Sequence, residues 1–430
     1  MKLPDKTLKI LLLLARWVLG FCFVFSGFVK AVDPWGTAYK LDDYFNAFGW
    51  SLLTDLSFVF SLALSAFEFY LGGALLLGLN RRLTALNVLL FLLFLTPFTL
   101  YVLIAHPVTD CGCFGDALVL SNGATFAKNL VLLALSLLVY LHWDTITPLY
   151  GPRTARWAAA WVICFPLLIS ARGSLHAPVL DFRPYKVGNH LPDLMGVPGG
   201  AASDSVVSVF IYEKNGKQES FSLEKAPIGD SSWTFVDRKD EVIRKGIQPL
   251  IHDFTLTLPD QGDITQEVLS DTSYVFLFVA DKLEDMDYKG LTDVLEAKKY
   301  ALHHGYRFLG LTSSTPKMVE DWRYENDEAM SFCPVDDRVL KSMIRSNPGL
   351  ILLRNGTVYQ KWTARDIPDF SAVDTDLRHS DYGLPQVQHT VKMLVQLCLM
   401  LVLPLLFFWL WHHGSLLQRR KRRPSETTND

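Results

Sequence analysis

No excess of charge of either sign marks this chain. Its 41 Lys and Arg face 44 Asp and Glu, a net charge of −3 over 430 residues. That balance excludes a basic nucleic-acid binder, and no nucleic-acid partner is expected. The six cysteines include no C-x-x-C, so no second thiol pair is available to relay electrons. No inverted repeat or pair of broken apolar helices is evident, which argues against a secondary transporter. The first apolar run lacks a small-residue cleavage site after a short core, so it reads as a retained span and not a removed leader.

What the chain does have is apolar sequence gathered into long uncharged runs, with 50% of all residues hydrophobic. The runs are Ile10 to Val29, Leu52 to Leu79, Leu83 to Ala105, Ala124 to Trp143, Trp157 to Ala171 and Met393 to Trp411. Most approach the roughly 20 residues a helix needs to cross a bilayer, and the fifth is the shortest. Lys2, Lys6 and Lys9, then Arg81 and Arg82, then Arg153 and Arg156, then the basic tail Arg419 to Arg423 flank the runs. By the positive-inside rule these flanks are cytoplasmic, which gives six crossings with both termini inside. Lys30 to Ser51, His106 to Gly123 and the block from about 172 to 388 then lie outside. A multi-pass protein of a bacterial inner membrane, in contact with lipid, is expected.

Two cysteines one residue apart, in Asp110-Cys111-Gly112-Cys113-Phe114-Gly115-Asp116, stand between the third and fourth runs. Sulfurs so close in sequence approach disulfide geometry only if the chain between them turns tightly, and Gly112 supplies that freedom. A small strained ring is easily reduced. The pair admits four readings: a redox-active dithiol, a structural disulfide, a metal site with His106 or Asp110, and inert thiols. The metal reading lacks four local ligands, so no metal is assigned. His106 and Lys128 are candidates to tune the thiols.

Charges inside the bilayer cost several kcal/mol unless paired or hydrated. Arg16 and Glu68 fall at nearly one depth when the centres of the first two runs are aligned, so a buried Arg16–Glu68 pair is expected. Glu68 could also handle protons. Lys30, at the end of its run, reads as an interfacial anchor. Cys22, Cys164 and Cys398 lie inside runs, where cysteine usually packs as a small apolar group.

The membrane half carries Arg16-Trp17-Val18-Leu19-Gly20, Ser26-Gly27, Asp33-Pro34-Trp35-Gly36, Glu68 with Gly72-Gly73, and Cys111-Gly112-Cys113-Phe114-Gly115 after a third run. Over about residues 8 to 145 this resembles the DoxX-like superfamily, and within it the MauE-like branch named for methylamine utilisation. The resemblance implies a four-helix membrane bundle of the general design of quinone-linked thiol oxidases. It further implies Cys111 and Cys113 as the catalytic pair, a quinone as electron acceptor and an exported protein as client. The C-x-C spacing departs from the C-x-x-C of those oxidases.

From residue 172 the composition turns polar. Val206 to Tyr212 and Glu219 to Leu223 read as strands around an Asn215-Gly216 turn, with Asp230 to Asp237 as a surface loop. Further on come strand Tyr274 to Ala280, helix Leu291 to His304, strand Tyr306 to Thr312, helix Lys317 to Asn326, a short strand near Ser331, helix Arg338 to Ser346, and a hairpin across Asn355-Gly356. Residues 250 to 368 resemble the thioredoxin-like fold, with Pro348 at the position of its cis-proline. Where that fold carries its thiols the chain reads Asp281-Lys282-Leu283-Glu284-Asp285, and Cys333 is left as a packing residue or a partner thiol.

The fold class expected is a helical membrane bundle with an extracytoplasmic α/β thioredoxin-like domain. The segments are 1–145 (four-helix membrane domain), 146–172 (cytoplasmic flank and fifth span), 173–250 (β-rich module), 251–388 (thioredoxin-like domain) and 389–430 (sixth span and basic tail). Function is expected to be thiol-disulfide redox chemistry or client maturation. The alternative is a non-enzymatic assembly protein with a structural disulfide.

Overall fold

The computed structural model describes residues 5–108, 111–196, 205–214, 217–222, 233–244, 249–251, 253–385 and 390–421. In chain order come helices α1 (Asp5–Val32), α2 (Pro34–Ala47), α3 (Ser57–Leu77), α4 (Arg81–Ala105), α5 (Asn122–Leu141), α6 (Pro152–Leu175) and the short α7 (Leu191–Met195). Strands β1 (Ser205–Lys214), β2 (Lys217–Ser222), β3 (Thr234–Arg244), β4 (Thr257–Leu258) and β5 (Gly262–Asp263) follow. Then come α8 (Thr265–Ser270), β6 (Tyr274–Val279), α9 (Leu291–His303), β7 (Arg307–Thr312), α10 (Pro316–Asn326) and β8 (Phe332–Pro334). The chain closes with α11 (Asp337–Met343), β9 (Gly349–Arg354), β10 (Thr357–Thr363) and α12 (Thr390–Lys421). Two units emerge: residues 1–183, 362–368 and 387–430 form one, and residues 184–361 with 369–386 form the other.

Six helices of the first unit are long and apolar enough to span a bilayer. The fifth, Pro152–Leu175, is 24 residues long and so more than sufficient. Its apolar run looked short because Arg153, Arg156 and Arg172 lie inside the helix; Pro152 at its first turn fixes the start. α1 and α3 pack antiparallel at backbone contact. A Cβ on Gly27 would lie 2.4 Å from Phe69 N, and one on Gly72 would lie 2.5 Å from Gly20 O. With no hydrophobic drive between helices in lipid, such small-residue contacts let van der Waals packing hold the pair. Leu19, Phe23, Leu71, Leu75, Val88, Leu92 and Leu132 fill the core between α1, α3, α4 and α5. α12 is tied to the bundle by Trp161 Nε1 donating to Leu401 O at 3.1 Å and Tyr150 OH donating to Leu405 O at 3.0 Å.

Between α1 and α3, in a segment expected only to lie outside the membrane, the chain forms α2. Asp33 caps it by accepting from Gly36 N, and Pro34 sits at its first turn. Ser61 of α3 donates to Pro34 O at 2.7 Å and fixes its start.

The second unit holds a five-stranded mixed sheet in the order β10-β9-β6-β7-β8. β6 and β7 run parallel, β6 and β9 antiparallel, and all six residues of β6 are buried. Asn355 and Gly356, both with positive φ, close the β9–β10 hairpin as the two-residue turn anticipated there. The Asn347–Pro348 peptide is cis. A separate antiparallel sheet has the order β2-β1-β3. The Asn215-Gly216 turn lies outside the described residues. The surface loop expected over Asp230 to Asp237 is corrected: β3 already begins at Thr234, pairing with Glu213 of β1.

Candidate thiol site in the membrane unit

The third span ends at Ala105, where His106 adopts a left-handed conformation and donates its N–H to Val102 O. A residue so placed turns the chain out of the helix. Thr109 and Asp110 lie outside the described residues, so the Asp110 metal reading goes no further. Gly112 has φ +68 and Gly115 φ +51, and Gly115 N donates to Gly112 O at 3.1 Å, closing a tight turn around Cys113 and Phe114. A Cβ on Gly112 would lie 2.7 Å from Lys40 Cγ, so both its φ and its surroundings require glycine.

This turn brings the Cys111 and Cys113 sulfurs to 3.1 Å. That is about 1 Å beyond the ~2.05 Å of a disulfide bond, and both thiols are free. Each cysteine is suspended by its own carbonyl. Tyr44 of α2 donates to Cys111 O at 3.1 Å; Lys30 Nζ and Ser26 Oγ of α1 donate to Cys113 O at 2.6 and 2.8 Å.

Lys30 is the centre of the arrangement. Its ammonium also donates to Ser26 Oγ at 2.7 Å and to Glu68 Oε2 at 2.7 Å, using all three of its N–H groups. Lys30 and Glu68 are each only 5% exposed. An ion pair so buried persists only when its remaining hydrogen-bonding capacity is also met, as it is here for the lysine.

Two expectations are thereby corrected. Lys30 is not an interfacial anchor, because α2 and the cysteine turn cover the end of α1 that carries it. Glu68 does not pair with Arg16. Aligning the centres of the apolar runs misjudged the register: Gly27 meets Ser65 and Phe69, so Glu68 lies beside the last turns of α1. Arg16 instead reaches the C-terminal turn of α3, donating from Nε to Leu75 O at 2.7 Å and from Nη2 to Leu76 O at 2.6 Å. The last carbonyls of a helix lack intrahelical partners and carry its negative end, so a guanidinium is stabilised there without any carboxylate.

The electrostatics split the two thiols. Cys113 is pulled down to about 6, first by the Cys111 S–H that donates to it and then by the Lys128 and Lys30 ammonium groups, against its burial and Glu68. Cys111 is pushed up because its proton is held in that contact and because it is buried. Cys113 therefore ionises first. Lys128 Nζ also sits 4.2 Å from the centre of the Phe114 ring. His106 is exposed and plays no visible part in this network. Among the described residues no three His, Cys, Asp or Glu side chains come together as a metal site.

A cavity of about 350 Å³ adjoins the thiols. Cys111, Gly112, Cys113 and Phe114 form part of its wall, with Cys22, Ser26 and Lys30 of α1, Glu68 of α3, and Lys128 and Asn129 of α5. Phe45, Phe48, Trp50, Phe91, Phe94 and Phe98 make the rest largely aromatic. The size falls within the range of small-molecule sites. Cys22, Ser26 and Tyr44 were missed as contributors. The signal for α1 was present: Cys22, Ser26 and Lys30 recur every fourth residue, one face of one helix.

In the other unit Cys333 lies on β8, wholly buried in the core, and burial pushes its thiol up to about 11. Asp281, which follows β6, is likewise raised by burial.

Six membrane-length helices, with a two-cysteine turn after the third, define a multi-pass helical membrane protein. Residues 8–142 match the family model of the methylamine utilisation protein MauE, so the bundle and its thiol turn are MauE-like. Residues 206–245 match a domain of unknown function, DUF8463. No curated protein and no solved structure matches the chain.

Proposed function

We propose that this protein is a membrane thiol–disulfide exchange protein that matures an exported client in a methylamine-utilisation-like process. The observation that carries the reading is the 3.1 Å approach of the Cys111 and Cys113 sulfurs on the wall of an aromatic cavity. A purely structural staple needs neither an adjoining cavity nor a buried ammonium at one cysteine.

In the oxidative direction the Cys111–Cys113 disulfide accepts two electrons from a client dithiol. The client leaves as a disulfide, and both cysteines become thiols. Regeneration returns two electrons and two protons to a carrier. No second thiol pair lies among the described residues, and Cys22 is the one further sulfur on the cavity wall. A lipid-soluble quinone fits the cavity by size and by its aromatic lining. When bound, it supplies a two-electron, two-proton sink. Phe48, Trp50 and Phe98 would hold its ring, while Lys30 and Glu68 keep a charged pair at the same wall.

The basic flanks, taken with the positive-inside rule, support a reading in which the thiol turn and residues from about 172 to 388 lie outside a bacterial inner membrane. The five-stranded sheet with its cis Asn347–Pro348 is read as a thioredoxin-like domain that has lost its thiols and serves to bind the client. Cys333, wholly buried, is read as a packing residue.

The test is a covalent trap. In native membranes Cys113→Ser is expected to accumulate a mixed disulfide with the oxidised client: the Cys111 thiolate attacks the client disulfide, the client's other sulfur leaves as a thiolate, and the adduct is released by reductant. Absence of any adduct in both Cys113→Ser and Cys111→Ser, with client maturation intact, contradicts the proposal.

A further inference from the structure

We infer that Lys30 is the positioning residue of the thiol site: it holds the Cys113 main chain in place and supplies the positive charge that steadies the sulfur of Cys113 when the Cys111–Cys113 bond opens. The inference rests on the exchange reading above and assigns unequal roles to the two cysteines.

The geometry carries it. Lys30 Nζ lies 2.6 Å from the carbonyl oxygen of Cys113, so the ammonium and the Cys113 sulfur are separated by no more than the span of one residue. Ser26 accepts from Lys30 and donates to the same carbonyl, so two donors on one face of α1 clamp Cys113. Cys111 receives only a neutral phenol, Tyr44, on its carbonyl. Both cysteines are therefore anchored, the Cys111 carbonyl by a phenol and the Cys113 carbonyl by a buried ammonium.

The consequence for exchange follows from leaving-group chemistry. A client thiolate attacks the Cys111 sulfur; the client S–Cys111 S bond forms and the Cys111–Cys113 bond breaks. The electron pair of the broken bond goes to the Cys113 sulfur, which departs as the thiolate without needing a proton. A sulfur whose anion is better stabilised leaves faster, and Cys113 is the one whose main chain holds the Lys30 ammonium at 2.6 Å. Lys30 thus favours attack at Cys111 and release of Cys113.

Glu68 opposes this effect while holding Lys30 in place. The other titratable groups facing Cys113 are Cys111 in its own turn, Cys22 on α1, Tyr44 and Lys40 on α2, and Lys128 on α5. Of these, Lys128 works with Lys30, so removing Lys30 should weaken the effect without abolishing it.

The pH profile of Cys113 alkylation, measured on the full-length reduced protein in nanodiscs, tests the assignment, because a merely structural lysine would leave it unmoved. Lys30→Met should move the midpoint upward by about one pH unit, given a unit charge within several ångströms. Glu68→Gln should move it downward, and Lys30→Arg should keep it within a few tenths of a unit. Lys30→Met leaves Glu68 alone and could fail to fold. The pair Lys30→Gln with Glu68→Gln is then compared with Glu68→Gln alone, and the double variant should titrate higher. Equal midpoints in that comparison, or a downward move in Lys30→Met, overturn the role of Lys30. Neither result depends on whether a client adduct forms, so failure here is distinguishable from failure of the exchange reading.

Discussion

Lys30 and Glu68 meet at 2.7 Å inside the bundle, at the point where the cysteine turn joins α1. The pair binds two helices and a loop through one cation, and it replaces the Arg16–Glu68 contact expected from the sequence. Its value to stability lies in mutual neutralisation. Replacing Lys30 or Glu68 singly by Met or Gln should destabilise the protein by about 3–5 kcal/mol, and the double neutral variant by much less. Thermal unfolding in nanodiscs measures the cycle; additive losses would mean that the two charges are not coupled.

Arg16 is expected to behave differently. Arg16→Met removes two hydrogen bonds to the C-terminal carbonyls of α3 and should cost about 1–3 kcal/mol. Combined with Glu68→Gln the losses should add to within about 0.5 kcal/mol, because the two residues share no partner. A large coupling energy would restore the discarded pair.

Gly27 is expected to admit no side chain. A Cβ there would meet Phe69 N at 2.4 Å and Ser65 O at 2.6 Å, both backbone atoms that cannot turn aside. Gly27→Val should force α1 and α3 apart at a cost of about 1–3 kcal/mol or more. Gly123, whose nearest neighbour to an added Cβ is 4.0 Å away, should tolerate alanine and serves as the control. Equal effects at the two glycines would contradict the close helix contact.

The depressed Cys113 thiol carries a pH signature. An unfolded cysteine titrates near 8.5, whereas Cys113 is pulled down to about 6. The stabilisation from its ionised form is present in full above about 8.5 and is lost as pH falls through about 6. The unfolding temperature of the reduced protein should therefore fall relative to the oxidised protein between pH 8.5 and 6. A difference that stays flat, or that moves the other way, contradicts the assignment of Cys113 as the thiolate.

Much of this architecture was legible in the sequence because its signals are local. Six apolar runs give the spans, Asn355-Gly356 gives the hairpin, and Cys111-Gly112-Cys113 gives a tight turn whose glycine does adopt positive φ. The misreadings concern register and cover. A run of apolar residues fixes a helix but not the height at which it meets its neighbour; that height is set by Gly20, Gly27 and Gly72 at the α1–α3 contact. Lys30 looked interfacial because α2 was not recognised as a helix. Tyr39, Lys40, Asp42 and Asp43 give that segment the composition of a loop, although Asp33-Pro34 is a sound helix start. Tyr44 and Ser26 act through Cys111 and Cys113 carbonyls, and nothing in a sequence marks which main-chain oxygen a hydroxyl will find.

Cys111 and Cys113 are proposed to form a reversible disulfide, and redox titration of these two thiols in native membranes tests this most directly. Free thiols are counted after equilibration in glutathione buffers, with Gly112→Val as a variant whose closure should be impaired. The count is expected to change by two at a potential near that of an oxidising compartment, well above about −300 mV. A pair that stays oxidised until below about −300 mV, or never closes at all, would contradict it.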